Sequence, residues 1–206
     1  MKVILEADLP TDSKNYEVIS QAVAMSASAS GMTCEIGLRR GGGTKYIIDG
    51  LKQHQIDRVH IAIDPYGNID YTDSDAQVTR FDYTNSMRDE CLTNLYLYCR
   101  QKGQSFIFFN LEDTEFFARY ADGVPVYNQT KTIETKYSFV HFDGPHSVEA
   151  IKTEIAFFHQ RTDNLAVFVF DDVTNYRHDK IDQYLKTLSW ECVITSERKW
   201  AYQKKV

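Results

Sequence analysis

Acidic side chains stand where apolar runs stop: Glu35 before Gly37, Asp64 before Pro65, Glu112-Asp113, Asp143 before Gly144, and the pair Asp171-Asp172. Carboxylates at such points accept hydrogen bonds from sugar hydroxyls, take up protons as general bases, or cap the helices that follow. Joint occurrence at every exit is harder to assign to capping than any one of them. The stretch Gly37-Leu38-Arg39-Arg40-Gly41-Gly42-Gly43 adds a second chemistry. Gly37 permits a sharp turn, and Gly41 to Gly43 let a ligand approach main-chain N–H groups near a helix start. The phosphate-loop lysine pattern is absent, since Lys45 follows Gly43-Thr44, and no clean dinucleotide fingerprint is present. A carboxylate at Asp64 suits both ribose hydroxyls of a nucleoside; it serves equally as a turn cap before Pro65. The adjacent Asp171 and Asp172 follow a buried run and need a compensating positive charge.

The elements that must position these residues alternate. Residues 14–29 have helical spacing (Tyr16, Ile19, Val23) with Ser13 as a plausible cap, and Met32–Ile36 is a short strand. A helix follows to Lys52, then a strand over Val59–Ile63. Residues 66–84 lack a period and are rich in Tyr, Asp and Asn, which marks an insertion. Ser86-Met87-Arg88-Asp89 is a capping box opening a helix that Gly103 ends. A strand at Ser105–Phe109 and a short helix around Glu115–Ala118 precede an irregular polar stretch, 121–136. Tyr137–Phe142 is a strand, Val148, Ile151, Ile155 and Phe158 mark a helix, and Leu165–Phe170 reads as a strand buried on both faces. A last helix carries Ile181, Leu185 and Leu188, followed by strands at Glu191–Thr195 and Lys199–Gln203. Alternation implies a parallel sheet with helices on both faces, and the two terminal strands imply one antiparallel hairpin. One α/β domain over 1–206 is expected, with 1–30 as an N-terminal helical segment.

Bulk properties narrow the partners. The net charge of −6 disfavours general nucleic-acid binding, and the basic stretch around Arg198-Lys199 reads as a solvated terminal strand. No apolar run reaches the length of a membrane span, and acids interrupt the N-terminus too early for a signal peptide. Cys34, Cys91, Cys99 and Cys192 lie apart in apolar runs, which suits a reducing, cytoplasmic compartment.

The blocks CEIGLRRGGGT, HIAIDPYG, FVHFDGPHSVEAIKTEI and VFVFDDV, in this order and spacing, resemble the class I S-adenosylmethionine-dependent methyltransferases. Within them they are most similar to the branch of macrocin-type sugar O-methyltransferases and cephalosporin-hydroxylase-like proteins. The resemblance implies a Rossmann-like, doubly wound, mostly parallel seven-stranded sheet with a C-terminal antiparallel hairpin. It implies S-adenosylmethionine held by Glu35, Gly37, Arg39 and Gly41, by Asp64 at the ribose, and by Asp113-Thr114 near the adenine. In the related branch, carboxylates at the positions of Asp143, Asp171 and Asp172 bind Mg²⁺, a hard cation that would hold and acidify substrate hydroxyls. The alternative is that these acids cap helices, with surplus charge relieved by Lys or Arg.

The chain departs from the family pattern at Pro145, where a second acid commonly follows Asp-Gly and is a candidate base. His146 is the nearest replacement, with Asp143 beside it; His178 is a weaker candidate and His141 a structural residue. The expected activity is O-methyl transfer to a small hydroxylated acceptor, such as a sugar or polyketide-like molecule. The alternatives are a repurposed binding protein of the same fold and, more distantly, a nicotinamide-dependent oxidoreductase. The segments 66–84 and 121–136 are expected on the substrate side. Tyr66, Tyr71, Phe81, Tyr83 and Tyr127 would stack on an acceptor there, pack as a lid, or form a homo-oligomer contact.

Overall fold

The computed structural model describes residues 7, 9–73 and 78–206. The remaining positions of the N-terminal segment and of the 66–84 insertion lie outside the described residues. The chain runs α1 (Glu17–Met25), β1 (Met32–Ile36), α2 (Gly42–Gln53), β2 (His60–Ile63), β3 (Tyr71–Asp73), β4 (Val78–Arg80), α3 (Asn85–Lys102) and β5 (Phe106–Phe109). It continues with α4 (Asp113–Arg119), β6 (Val124–Tyr127), β7 (Lys131–Glu134), β8 (Tyr137–Phe142), α5 (Val148–His159), β9 (Val167–Phe170), α6 (His178–Thr187), β10 (Trp190–Thr195) and β11 (Trp200–Lys204). Seven strands form one sheet in the order β10-β11-β9-β8-β1-β2-β5. All neighbours are parallel except β11, which is antiparallel to both β9 and β10. This is the expected Rossmann-like sheet with its C-terminal hairpin.

Period-two alternation divides the strand residues between two helical layers. Cys34, Ile36, Ile61, Ile63, Val140 and Phe142 pack with Phe116 of α4, Ile151, Ile155 and Phe158 of α5, and Ile181 and Leu185 of α6. On the other face, Phe139, Val167 and Val169 meet α1 and α2 through Ile19, Val23, Ile47 and Leu51. The same alternation turns the polar members of the strands, Thr33, Glu35, His60 and His141, toward the α2 side. All four are buried.

Some local boundaries differ from expectation because the caps lie elsewhere. Helix α3 is capped by Thr84, whose side chain accepts from Met87 N at 3.1 Å, two residues before the expected Ser86; Gly103 ends it at φ +68° as expected. Helix α1 starts only at Glu17, because Asn15 adopts φ +60°. The 121–136 stretch is not irregular: it forms the antiparallel β6–β7 hairpin. Nor does it flank the substrate side. Helix α4 carries the chain back to the amino ends of the parallel strands, where Lys136 O accepts from Met32 N at the start of β1. Tyr127, 74% exposed on that hairpin, is therefore remote from the strand exits.

Candidate active site

Register aligns the strand exits. Ile36 pairs with Ile63 on one side and Phe142 on the other, Ile63 pairs with Phe109, and Phe142 pairs with Phe170. The next residues, Asp64, Gly37, Asp143 and Asp171, therefore stand in one row at the carboxyl edge. Strand order reverses between β1 and β8, the switch point at which open α/β sheets leave a crevice. A cleft of about 500 Å³ opens there, within the range of roughly 300–1,000 Å³ common to small-ligand sites. Gly37, Asp64, Asp143 and Asp171 all line it, with Glu112-Asp113-Thr114 from the β5–α4 turn and His146 and Asp172 beyond the exits of β8 and β9. Arg198 comes from the β10–β11 turn, Ser13 from the N-terminal segment, and Tyr71, Arg80 and Tyr83 from the insertion.

Gly37 is required by the close approach of β8. A Cβ there would fall 2.0 Å from Asp143 O, and φ is +84°. Glu35, expected to face the cofactor, does not line the cleft. Its side chain turns under α2 into a space that Gly43 provides, since a Cβ on Gly43 would fall 1.9 Å from Glu35 Oε1. There Thr44 Oγ1 donates to Glu35 Oε2 at 2.5 Å, and His141 Nδ1 lies 2.8 Å from Oε1. The chain of contacts continues from Thr44 to His60 Nε2 at 2.9 Å, and from His60 Nδ1 to Thr33 at 3.0 Å. Burial pushes Glu35 up to about 8 and both His60 and His141 down to about 3. A protonated carboxyl between neutral imidazoles is the form that low-dielectric surroundings favour. Glu35 is thus a core residue that braces the glycine turn from below. Gly41 is also displaced from its expected role: it packs against the side chains of Leu9 and Leu95.

Asp64 is 2% exposed, and its carboxylate is fixed by the turn itself. Oδ2 accepts from Leu38 N and Arg39 N, both at 2.9 Å, and Oδ1 accepts from Tyr66 N at 3.0 Å. The N–H groups of Leu38 and Arg39, in the turn just before the glycine run, are therefore filled by an internal carboxylate. A carboxylate offers about four acceptor positions, of which these donors take three, and Asp64 borders the cleft. Burial raises Asp64 to about 6, against the pull of those three N–H groups. Arg39 spans the mouth, paired with Asp12 of the N-terminal segment and with Asp82 of the insertion at 3.0 Å. Tyr66 is wholly buried and donates to Arg39 O at 2.5 Å, which is lid packing, whereas Tyr71 and Tyr83 reach the cleft. Phe81, 70% exposed, does not.

The three acids expected to hold Mg²⁺ share the cleft, but their surroundings do not suit the ion. Asp171 is 1% exposed; Lys199 Nζ donates to its Oδ2 at 2.7 Å, and Asp172 N and Ser13 Oγ donate to Oδ1 at 2.6 and 3.4 Å. Asp172 Oδ1 is paired with Arg198, and Asn175 Nδ2 donates to Oδ2 at 2.9 Å. Every carboxylate oxygen of the pair already has a protein donor, and two cations neutralise the two charges. The third acid, Asp143, is pushed well above the ordinary carboxylate range by enclosure and by neighbouring Asp171, with Lys199 opposing. Mg²⁺ does not fit this donor set. Among the described residues, the potential ligands that converge are instead Glu35, His141 and Asp143, within 4.8 Å of one another. Two of those are bonded to each other, and an imidazole nitrogen is a poor ligand for a hard cation. The basic terminal stretch also reads differently in the fold: Lys199 is buried completely. The signal for it was in the sequence, an Arg-Lys pair available to an Asp-Asp pair.

His146 Nε2 lies 3.7 Å from Asp143 Oδ1, and its ring stacks on Tyr176 at 5.9 Å and 8°. His178 is buried between the hydroxyls of Tyr176 and Tyr202, at 3.1 and 3.0 Å, and held down to about 4 by burial; it does not line the cleft.

No family model matches the sequence, and no curated protein matches it. Solved structures share the fold. One is the O-methyltransferase TomG from Streptomyces achromogenes in complex with SAM, at 9% identity over 97% of this chain and 83% of that one, with a TM-score of 0.58. Another is the O-methyltransferase from Bacillus cereus in complex with SAH, at 11% identity over 95% and 84%, with a TM-score of 0.57. A third is an rRNA methylase from Streptococcus thermophilus, at 6% identity over 96% and 100%, with a TM-score of 0.53. Identities this low carry the fold alone.

Proposed function

We propose that the chain is an S-adenosylmethionine-dependent methyltransferase acting on a small hydroxylated acceptor, without Mg²⁺. One observation carries the reading: the cleft lies at the β1/β8 switch point of a methyltransferase-type sheet, with Asp64 at the β2 exit and Asp113-Thr114 at the β5 exit. Those residues fit a nucleoside. Asp64 suits a ribose hydroxyl, Asp113 suits an amino group of the base, and Gly37 borders the place of the amino-acid part. When bound, the cofactor supplies an electrophilic methyl group on a sulfonium.

The protein's residues then position and deprotonate the acceptor. Asp143, whose proton affinity is raised by enclosure and by neighbouring Asp171, and His146 beside it form the base pair nearest the β8 exit. Tyr71 and Tyr83 offer aromatic surface to the acceptor. Micromolar binding of S-adenosylhomocysteine by calorimetry, with NADH inert, is the expected result. Transfer of a labelled methyl group should persist in EDTA and fall at least tenfold in Asp143→Asn, with S-adenosylhomocysteine affinity retained. NADH binding in place of S-adenosylhomocysteine would overturn the assignment.

A second reading, cofactor binding without transfer, is favoured by Pro145 at the usual base position. It predicts the same calorimetry and no transfer to any acceptor in a broad hydroxylated panel.

A further inference from the structure

We infer that Lys199 is the resident cation of the acidic wall of the cleft, a tethered ammonium that takes the place of a divalent metal. Its Nζ donates to Asp171 Oδ2 at 2.7 Å and to Ser13 Oγ at 3.1 Å, and it sits 4.2 Å from the centre of the Tyr16 ring. Lys199 is 0% exposed and Asp171 1%. Burying a cationic side chain is costly unless it is paired and hydrogen-bonded; here a carboxylate, a hydroxyl and an aromatic face surround it. Arg198, the preceding residue, neutralises Asp172. The β10–β11 turn thus delivers two fixed cations to two acids at the β9 exit. A dication entering the same wall would meet those cations at short range, in surroundings that screen charge poorly.

Lys199 is a positioning residue. It joins the β9 exit (Asp171), the N-terminal segment (Ser13 and Tyr16) and the terminal hairpin at one atom, so the cleft wall is assembled without an exchangeable ion. Metal-independence follows from the fold itself, and it holds whether or not the chain transfers methyl groups. Its test therefore reads metal binding and not turnover.

The full chain is titrated with Mn²⁺ while the free-ion electron paramagnetic resonance signal is followed. Wild type should leave the signal undiminished, with no change in melting temperature on adding Mn²⁺ or EDTA. Lys199→Gln and Lys199→Ala remove the charge and should acquire one Mn²⁺ per chain, at least tenfold tighter than any wild-type binding. In those variants added Mn²⁺ should raise the melting temperature, since a ligand that binds only the folded state stabilises it. Lys199→Arg should behave as wild type, and Lys199→Gln/Asp171→Asn should lose the acquired site. Stoichiometric Mn²⁺ binding by wild type overturns the inference, whether Asp171→Asn or His141→Gln removes it. So does failure of both folded charge-removing variants to acquire the ion. If Lys199→Ala does not fold, Lys199→Gln, which keeps a donor for Asp171, decides the question.

Discussion

Glu35 offers a test of whether the strand-end acid beside the glycine turn is a ligand contact or a core residue. In the fold it is buried between Thr44 and His141, with its carboxyl raised from 4.5 to about 8. A pKa difference of one corresponds to about 1.4 kcal/mol, so ionising Glu35 in the folded chain costs on the order of 5 kcal/mol more than in the unfolded one. A carboxyl raised on folding contributes stability that is full below its unfolded value and lost as pH climbs through its folded value. The window is therefore about pH 4.5 to 8. Glu35→Gln mimics the protonated acid: its carbonyl accepts from Thr44, and its amide donates to His141 Nδ1. Urea unfolding of both proteins at intervals from about pH 5.5 to 8.5 should show the variant gaining on wild type by up to about 1.4 kcal/mol per pH unit, levelling above about pH 8. Affinity for S-adenosylhomocysteine at neutral pH should change less than about threefold, because the side chain faces away from the cleft. A stability difference that is constant across this range would mean Glu35 is ionised throughout and would refute the neutral network. A loss of affinity beyond about tenfold in a well-folded variant would return Glu35 to the cofactor.

Breaking the buried Lys199–Asp171 pair from one side, with Lys199→Met, should cost about 3–5 kcal/mol, whereas Lys199→Met/Asp171→Leu should recover most of that loss, both read from chemical unfolding. Gly37→Ala places a methyl group 2.0 Å from Asp143 O at a left-handed backbone position. It should yield insoluble protein or a melting temperature at least about 6 °C lower, as a loss of about 3 kcal/mol implies for a chain of this size.

The sequence alone determined the order of the main-sheet strands and their helices, the sheet type and the terminal hairpin, because apolar periodicity and turn residues are local properties; it missed the β3–β4 and β6–β7 ribbons. It also located the acids Asp64, Asp113, Asp143 and Asp171, since each directly follows a strand or opens the helix after one. What these acids touch was decided by tertiary structure. Strand register set Asp64, Gly37, Asp143 and Asp171 abreast, and the alternation of β1 turned Glu35 away from them and beneath Gly43. The turn before the glycine run is filled by Asp64, more than twenty residues away in sequence, and Gly43 is backed by the nearby Glu35. The 121–136 stretch, polar and without period, gave no hint that a returning helix leaves it at the opposite edge. Most consequential is the pairing of Asp171-Asp172 with Arg198-Lys199. Local composition gives a basic tail and an acidic turn separately, and only the antiparallel packing of β11 on β9 brings them together as two ion pairs.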